Sequence, residues 1–332
     1  MATKANDKKL QHWKLYALGG GLGHLQRSLA LARAAIRKGH FVDIICNSRF
    51  SKFIPWEGEL GDSGSLTIID NKSSIKKTFE SIIKWITNDH FDQLIIDTLP
   101  RGIAGELKDI IKSIKKPKTF IHRDLNPDYV KQFNLNEFIK QYDLIIVPGE
   151  KNPIKDINQL SFCHSTDPWL IRNYSEIKNK NLARVKLEMD PNDHRPLAII
   201  PVTGNLDEER LFLKLKSELQ NSTSSWAIKT VSPIPKIADI RIWPLLEMMN
   251  GVDMVIGAGG YNTVNEVRVT RTPFIGHPLS RMYDRQEKRL KDGEIYTHID
   301  EISKYLQKTS LGTDCNPFIN GTFKAVELIE TL

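Results

Sequence analysis

The 332-residue chain reads as α/β, built from two doubly wound halves that each wrap a parallel sheet in helices. Three observations lead there. Short apolar strands alternate with amphipathic helices along most of the chain, the pattern of βαβ crossovers. Two strands run directly into glycine-rich turns that open helices, at Gly19–Gly23 and Gly257–Gly260. The length exceeds what one core supports and suits two domains of ordinary size.

Residues 1–11 read as a disordered leader, and His12–Leu18 as a buried strand that breaks at Gly19. From His24 to Lys38 the apolar positions Leu25, Leu29, Ala32, Ala35 and Ile36 follow helical spacing, and Gly39 stops the helix. Phe41–Cys46 is the next strand, which completes a βαβ unit. The alternation continues with strand 66–69, helix 75–88, strand 93–96 ending at Asp97, helix 103–114, and strands 118–121 and 144–147. Residues 148–196 are polar and carry no long periodic segment. A second run follows: strand 197–202, a turn at 203–205, helix 208–220, strands 226–230 and 240–242, and a short helix at 245–250. Strand 254–256, the second glycine turn, helix 262–270, strand 273–276 and a terminal helix at 323–332 complete it. The expected division is a first domain over 1–165, a linker over 166–195 and a second domain over 196–332. The terminal helix is a candidate to pack back on the first domain.

Hydrophobic residues make up 40% of the chain and charged residues 26%, which is globular rather than disordered composition. The net charge of +7 points to an anionic partner without saying which. The three cysteines, Cys46, Cys163 and Cys315, form no CxxC pair, so neither a disulfide framework nor a zinc ribbon is expected. No apolar run approaches the ~18 residues of a membrane span, and the polar start has no apolar signal region behind it. A cytoplasmic protein is expected, with peripheral contact at the inner face of the membrane left open.

A glycine-rich turn between strand and helix exposes backbone N–H groups at the positive end of a helix dipole, where an anion can approach. At the first turn Gly21 and Gly23 have this role. The turn lacks the GxxxxGK[ST] lysine of a phosphate-binding loop. It also has His24 where a dinucleotide fingerprint needs its third glycine, and Cys46-Asn47-Ser48 where that fingerprint wants an acid. His24 sits in the first helical turn, where the dipole favours a neutral imidazole; it is either a general base at a cleft mouth or a packing residue of the loop. Arg27, three residues on, is either a phosphate or carboxylate contact or a solvated surface arginine. Asp97, at the carboxyl end of its strand, either orients His24 or caps the helix that begins near Ile103. His122-Arg123-Asp124 resembles a kinase catalytic loop, but the other kinase signatures are missing. Its position at a strand end still places His122 and Asp124 near the same crevice.

The stretch from Asp253 to Arg289 carries the second turn. Its glycines admit a diphosphate to the backbone, and Asn262 and Thr263 bond that diphosphate or cap the helix. Glu266, one turn further on, either accepts hydrogen bonds from the vicinal hydroxyls of a ribose or is a solvated helix carboxylate. Asp284 and Gln286 follow in a polar loop and are residue types that read sugar hydroxyls.

This ordered set resembles the nucleotide-sugar domain of GT-B glycosyltransferases of the family 28 group, to which the lipid-linked N-acetylglucosaminyl transferase of peptidoglycan synthesis belongs. Gly21-Leu22-Gly23-His24-Leu25-Gln26-Arg27-Ser28-Leu29-Ala30-Leu31-Ala32 resembles the GxGHxxRxxxLA turn of the same superfamily, which also occurs in UDP-sugar hydrolases. Asp97-Thr98-Leu99-Pro100-Arg101-Gly102 and Arg123-Asp124 resemble motifs of a bacterial subgroup of predicted glycosyltransferases. The resemblance implies two Rossmann-like domains facing a central cleft. It assigns the ribose to Glu266, the diphosphate to Gly259, Gly260, Asn262 and Thr263 with Gly204 and Asn205 opposite, the base to the segment around Ile242, and the donor sugar to Asp284 and Gln286. It makes His24 the base or a phosphate contact. The chain departs from the family at Arg268–Pro273, where a small or glycine-rich segment is usual.

The function expected is inverting, metal-independent transfer of a sugar from a nucleotide sugar, a UDP-sugar first, to a hydroxyl acceptor not identified by the sequence. No cofactor and no metal are expected. The alternative on the same fold is a UDP-sugar hydrolase or epimerase. Nucleic-acid binding is the weakest alternative, because the basic residues are spread out and no RRM, KH or helix-turn-helix signature is present.

Overall fold

The structure, a computed structural model, describes residues 9–70, 73–88, 90–150, 160–203, 206–308 and 315–332. Most of the expected leader, and Gly204 and Asn205 of the second domain's first turn, lie outside these residues.

The first half runs β1 His12–Ala17, α1 Leu22–Arg37, β2 Phe41–Cys46, α2 Trp56–Leu60, β3 Gly64–Ile68, α3 Ile75–Thr87, β4 Gln93–Asp97, β5 Lys118–Ile121, α4 Pro127–Gln132, α5 Leu135–Phe138, β6 Leu144–Pro148 and β7 Cys163–Thr166. The second runs α6 Lys180–Lys186, β8 Leu197–Pro201, α7 Leu206–Ser222, β9 Ala227–Ser232, β10 Ile240–Arg241, β11 Met254–Ala258, α8 Tyr261–Thr270, β12 Phe274–His277, α9 Ile299–Lys308 and α10 Thr322–Ile329. Two all-parallel sheets result, ordered β3-β2-β1-β4-β5-β6-β7 and β10-β9-β8-β11-β12. The order reverses between β1 and β4 in one sheet and between β8 and β11 in the other. Ligands of open α/β sheets bind at such switch points.

Apolar runs such as Leu94-Ile95-Ile96 and Ile199-Ile200 form central strands because both faces of a parallel sheet are covered. One core cluster lies on the α3 side of the first sheet, around Tyr16, Ile96, Phe120 and Ile145. Another covers the α7–α9 side of the second, around Ile200, Phe212, Ile228 and Ile256. The third runs from Trp13, Leu29 and Ile44 of the first half through Trp169, Leu170 and Ile171 into Leu246, Val255 and Val267 of the second. The crossing segment is therefore packed chain. Arg172 ties it to both halves, with Nη2 2.5 Å from Glu59 Oε1 and Nε 2.5 Å from Glu247 Oε1.

Three expectations need correction. Residues 103–114 form successive turns instead of a helix. Gly102 (φ 82°) and Gly105 (φ 94°) take left-handed backbone there, and Glu106 folds back to accept from the amides of Ile103 and Ala104. β7 is a strand inside the stretch read as aperiodic: an edge strand needs only its backbone to pair with β6, so Cys-His-Ser-Thr carries no apolar alternation. Residues 245–251 wind as a 3₁₀ segment.

α10 packs against α1 and the β7 edge of the first half. Gln93 Nε2 donates to the Ile329 carbonyl at 3.4 Å, and His40 Nε2 lies 2.9 Å from Glu330 Oε1. Gly321 makes the approach possible, since a Cβ there would stand 1.9 Å from the Asp167 carbonyl oxygen. Gly321→Ala is expected to lower stability by roughly 1–3 kcal/mol through overpacking against backbone, read as a lower denaturant midpoint with an unchanged slope.

Candidate active site

A cavity of about 560 Å³ opens between the carboxyl edges of the two sheets. The first half supplies the glycine turn after β1, Arg49 and Phe50 after β2, Thr98 and Leu99 after β4, and Arg123 and Asp124 after β5. The second half supplies the β11–α8 turn, Ile242 and Trp243, and the loop from Arg281 to Gln286.

On the first wall, Asn47 at the end of β2 accepts from the amides of Gly19 and Gly20, both at 2.8 Å. Gly21 then donates to the Gly19 carbonyl at 2.8 Å across Gly20 (φ 73°), a γ-turn that glycine adopts without strain. Gly19 has to be glycine for another reason: a Cβ would stand 2.2 Å from the His24 ring. His24 lines the cavity, and its Nδ1 lies 2.6 Å from Asp97 Oδ2. Asp97 stands behind the histidine, buried at the end of β4.

Arg27 is neither a surface arginine nor a cavity contact. It is 1% exposed and forks onto Asp97, Nε to Oδ1 at 2.7 Å and Nη2 to Oδ2 at 2.6 Å. The same Nη2 donates to Thr98 Oγ1 at 2.9 Å. Thr98 is held at φ 64° in a second γ-turn, with the Leu99 amide 2.7 Å from the Asp97 carbonyl. Such backbone in a β-branched residue is strained and needs outside support. Burial alone would raise the Asp97 carboxyl, but the charge of Arg27 and the bond from His24 outweigh it and hold Asp97 well below the usual carboxylate range. The carboxylate is ionised and engages Nδ1, which leaves the other ring nitrogen outside this pair.

On the second wall, α8 begins at Gly260 with no side-chain cap. The first-turn amides of Tyr261, Asn262 and Thr263 therefore lack intrahelical partners and carry the positive end of the dipole beside the cavity. Gly259 lies just behind the wall, where a Cβ would stand 2.8 Å from the Gln286 carbonyl oxygen. Glu266 lines the cavity but is 6% exposed, and Gln26 of α1 donates to its Oε1 at 2.6 Å. Burial pushes its carboxyl up to about 8, only partly offset by that bond. The solvated-carboxylate reading of Glu266 is thereby excluded.

The acidic residues of the cavity floor are engaged across the two halves. Asp124 accepts from Arg285 Nε at 2.9 Å. Asp284 lies 2.5 Å from Arg289 Nη2 and 3.5 Å from Arg123 Nη2. Arg289 Nε donates to Glu150 Oε1 at 3.1 Å. Burial acts to raise Asp284, but Arg123 and Arg289 overcome it and lower the carboxyl. Gln286 Oε1 accepts from the Leu279 amide at 3.0 Å. His122 does not line the cavity: it is fully buried beside Phe120, and burial with the nearby Arg123 lowers it to about 3. Of the departing segment at 268–273, Arg268 pairs with Glu294 and Arg271 caps α8 in left-handed backbone (φ 56°). Sequence reasoning missed Asn47, Gln26, Glu150, Tyr261 and Arg289. Only Asn47 had a local signal, an amide one residue past a strand end.

Among the described residues no group of three or more His, Cys, Asp or Glu is placed to hold a metal ion, and no helix is long and apolar enough to cross a membrane.

No protein-family model and no curated protein sequence matches the chain. Solved structures do. The glycotransferase of kitacinnamycin superposes with a TM-score of 0.64 at 14% identity, covering 97% of this chain and 99% of that one. UGT89C1 of Arabidopsis thaliana, complexed with UDP-L-rhamnose, gives 0.56 at 10% identity over 90% of each chain. UDP-N-acetylglucosamine 2-epimerase from Rickettsia bellii gives 0.59 at 8% identity, covering 97% and 95%. The chain has the GT-B fold, two Rossmann-like domains about one cleft.

Glu266 sets a pH test. The native state keeps this proton in a window where the unfolded chain, titrating near 4.5, has released it. The raised carboxyl thus makes stability fall as pH climbs from 4.5 to about 8. Glu266→Gln is neutral throughout and removes that slope. Its denaturant midpoint relative to the native protein should be higher at about pH 9 than at about pH 5; equal differences at both would show that Glu266 titrates normally.

Proposed function

We propose that the chain is a glycosyltransferase of the family 28 kind that moves a sugar, with inversion and without a metal, from a nucleotide sugar to an acceptor hydroxyl. One observation carries the reading: His24, backed by an ionised Asp97, and the uncapped α8 N-terminus stand on opposite walls of one cavity. A base on one side and a leaving-group site on the other suit in-line displacement at an anomeric carbon. The acceptor hydroxyl gives its proton to the free nitrogen of His24, Asp97 stabilises the imidazolium, and the nucleoside diphosphate leaves toward the helix amides.

In this reading the donor lies on the second domain. Gly260, Asn262 and Thr263 hold the diphosphate, Glu266 the ribose, and Ile242 the base. Gly204 and Asn205 stay assigned to the diphosphate by resemblance alone. Asp284 and Gln286 bear on the donor sugar, Asp284 from within its ion pairs with Arg123 and Arg289. UDP as the leaving group is supported by UGT89C1, which is complexed with UDP-L-rhamnose on this fold. The acceptor enters along the first domain past Gly21 and Gly23, with Asp124 on the facing floor.

The epimerase neighbour supports a second reading, attack on the donor without a hydroxyl acceptor. Free sugar or a C2 epimer released from a UDP-sugar alone would favour it.

The test is a thermal-shift screen of nucleotides and nucleotide sugars, with Glu266→Ala beside the native chain. UDP or a UDP-sugar should raise the melting temperature of the native protein, and the variant should respond less. His24→Ala is expected to keep nucleotide binding and to lose turnover by roughly 10²–10⁴-fold. Retained turnover would remove His24 from the mechanism.

A further inference from the structure

Arg123 reaches the cavity from the first domain, yet its guanidinium lies on a residue of the second. Its Cζ is 4.6 Å from the ring centroid of Tyr261, the first residue of α8. The side chain is only 8% exposed. Its Nε is 3.3 Å from Glu150 Oε1, and its Nη2 is buried with no hydrogen-bond partner among the described residues. The neighbouring acids are held more closely by another cation: Arg289 is 2.5 Å from Asp284 and 3.1 Å from Glu150, whereas Arg123 Nη2 stands 3.5 Å from Asp284. A buried guanidinium donor whose nearest carboxylate stands off at 3.5 Å without hydrogen-bond geometry is poorly satisfied, and in a cavity-lining side chain an incoming acceptor can complete its bonding. Here the donor belongs to a cavity-lining side chain stacked on the first turn of an uncapped helix.

We propose that Arg123 is a catalytic residue that takes up the charge of the departing nucleoside diphosphate, donating to an oxygen of its terminal phosphate; this rests on the nucleotide-sugar reading above. As the acceptor oxygen bonds to the anomeric carbon, the bond from that carbon to the phosphate oxygen breaks and its electron pair stays on that oxygen. The acceptor proton goes to His24. Arg123 keeps its own proton and strengthens its hydrogen bond as the phosphate gains charge, so it favours the transition state and product over the bound donor. Because it comes from the domain opposite α8, the clamp forms only while the two domains face each other across the cleft.

This differential is measurable without knowing the acceptor. Titration calorimetry would compare the native protein with Arg123→Met and Arg123→Lys. The probes are the monophosphates and diphosphates of uridine, thymidine and guanosine, with UDP-glucose beside them. For the base that binds, Arg123→Met should weaken the diphosphate roughly ten-fold or more and leave the monophosphate and the nucleotide sugar within about three-fold. Arg123→Lys, which keeps a point charge, should recover part of the loss. Equal losses for monophosphate and diphosphate, or an unchanged diphosphate affinity, would overturn the assignment and make Arg123 a domain-clasp residue. Should Arg123→Met prove unfolded by circular dichroism, Arg123→Gln takes its place with the same expected and overturning outcomes, since it also removes the charge. Failure of the native protein to bind any of these nucleotides is a separate outcome that removes the nucleotide-sugar reading itself, and the clamp with it.

Discussion

An ionised carboxylate buried at the end of β4 is the constraint around which the cleft is built. Asp97 has lost its water, and an uncompensated charge there would cost several kcal/mol. The fork from Arg27 matches both oxygens, and His24 supplies a further bond to one of them. Each partner then imposes a condition. Arg27 and His24 must sit on one side of the first turns of α1, which sets the helix against β4. The His24 ring needs the space over Gly19, and Asn47 must hold the turn that provides it. Thr98 must stay in strained backbone beside the carboxylate, and Arg27 holds it there. Strain concentrated at such a site is consistent with preorganisation.

The same arginine carries the constraint across the cleft. Its Cζ is 5.1 Å from the Tyr261 ring, which lies on Arg123 as well. The first residue of α8 is thus flanked by two guanidinium groups of the opposite domain. Around this stack the halves are joined by Gln26–Glu266, Asp124–Arg285, Glu150–Arg289, and Asn126, whose amide donates to the Tyr283 carbonyl at 3.0 Å. These are polar links around the cavity, while the continuous apolar core runs separately through Trp169–Ile171. Breaking these links would exchange ion pairs for water, at modest cost for a partly exposed one such as Arg285 and at a larger cost for the buried Glu150–Arg289 pair. Separating the domains along that core would expose it.

Much of the fold was legible because parallel strands buried on both faces leave continuous apolar runs, and α1 leaves a helical stripe. β7 was invisible because an edge strand places no demand on side-chain pattern. The turns at 103–114 have helix-like spacing at Ile103, Leu107, Ile111 and Ile114. Two glycines in left-handed backbone and the fold-back of Glu106 prevail over it. At the site, a glycine turn announces backbone donors wherever it occurs, so the turns at Gly19 and Gly257 were readable. Arg27 was misread because spacing places it on the helix face of His24 without saying whether that face is wet or dry.

By itself the sequence determined two α/β halves, a glycine-lined turn in each, and a histidine, an aspartate and a glutamate poised near those turns. All of this is encoded in local spacing and in which residues can adopt a given backbone. The tertiary structure decided the rest. It chose between the two roles open to Asp97 by bringing β1 and β4 side by side at the switch point. It turned Arg27 inward to neutralise that carboxylate. It buried Glu266 against Gln26 from the other domain, so that a residue readable as a solvated carboxylate keeps its proton near neutral pH. The physical reason is the same in each case. The state of a charged group depends on the water it loses and the partners it gains, and those partners stand dozens to hundreds of residues away in the chain.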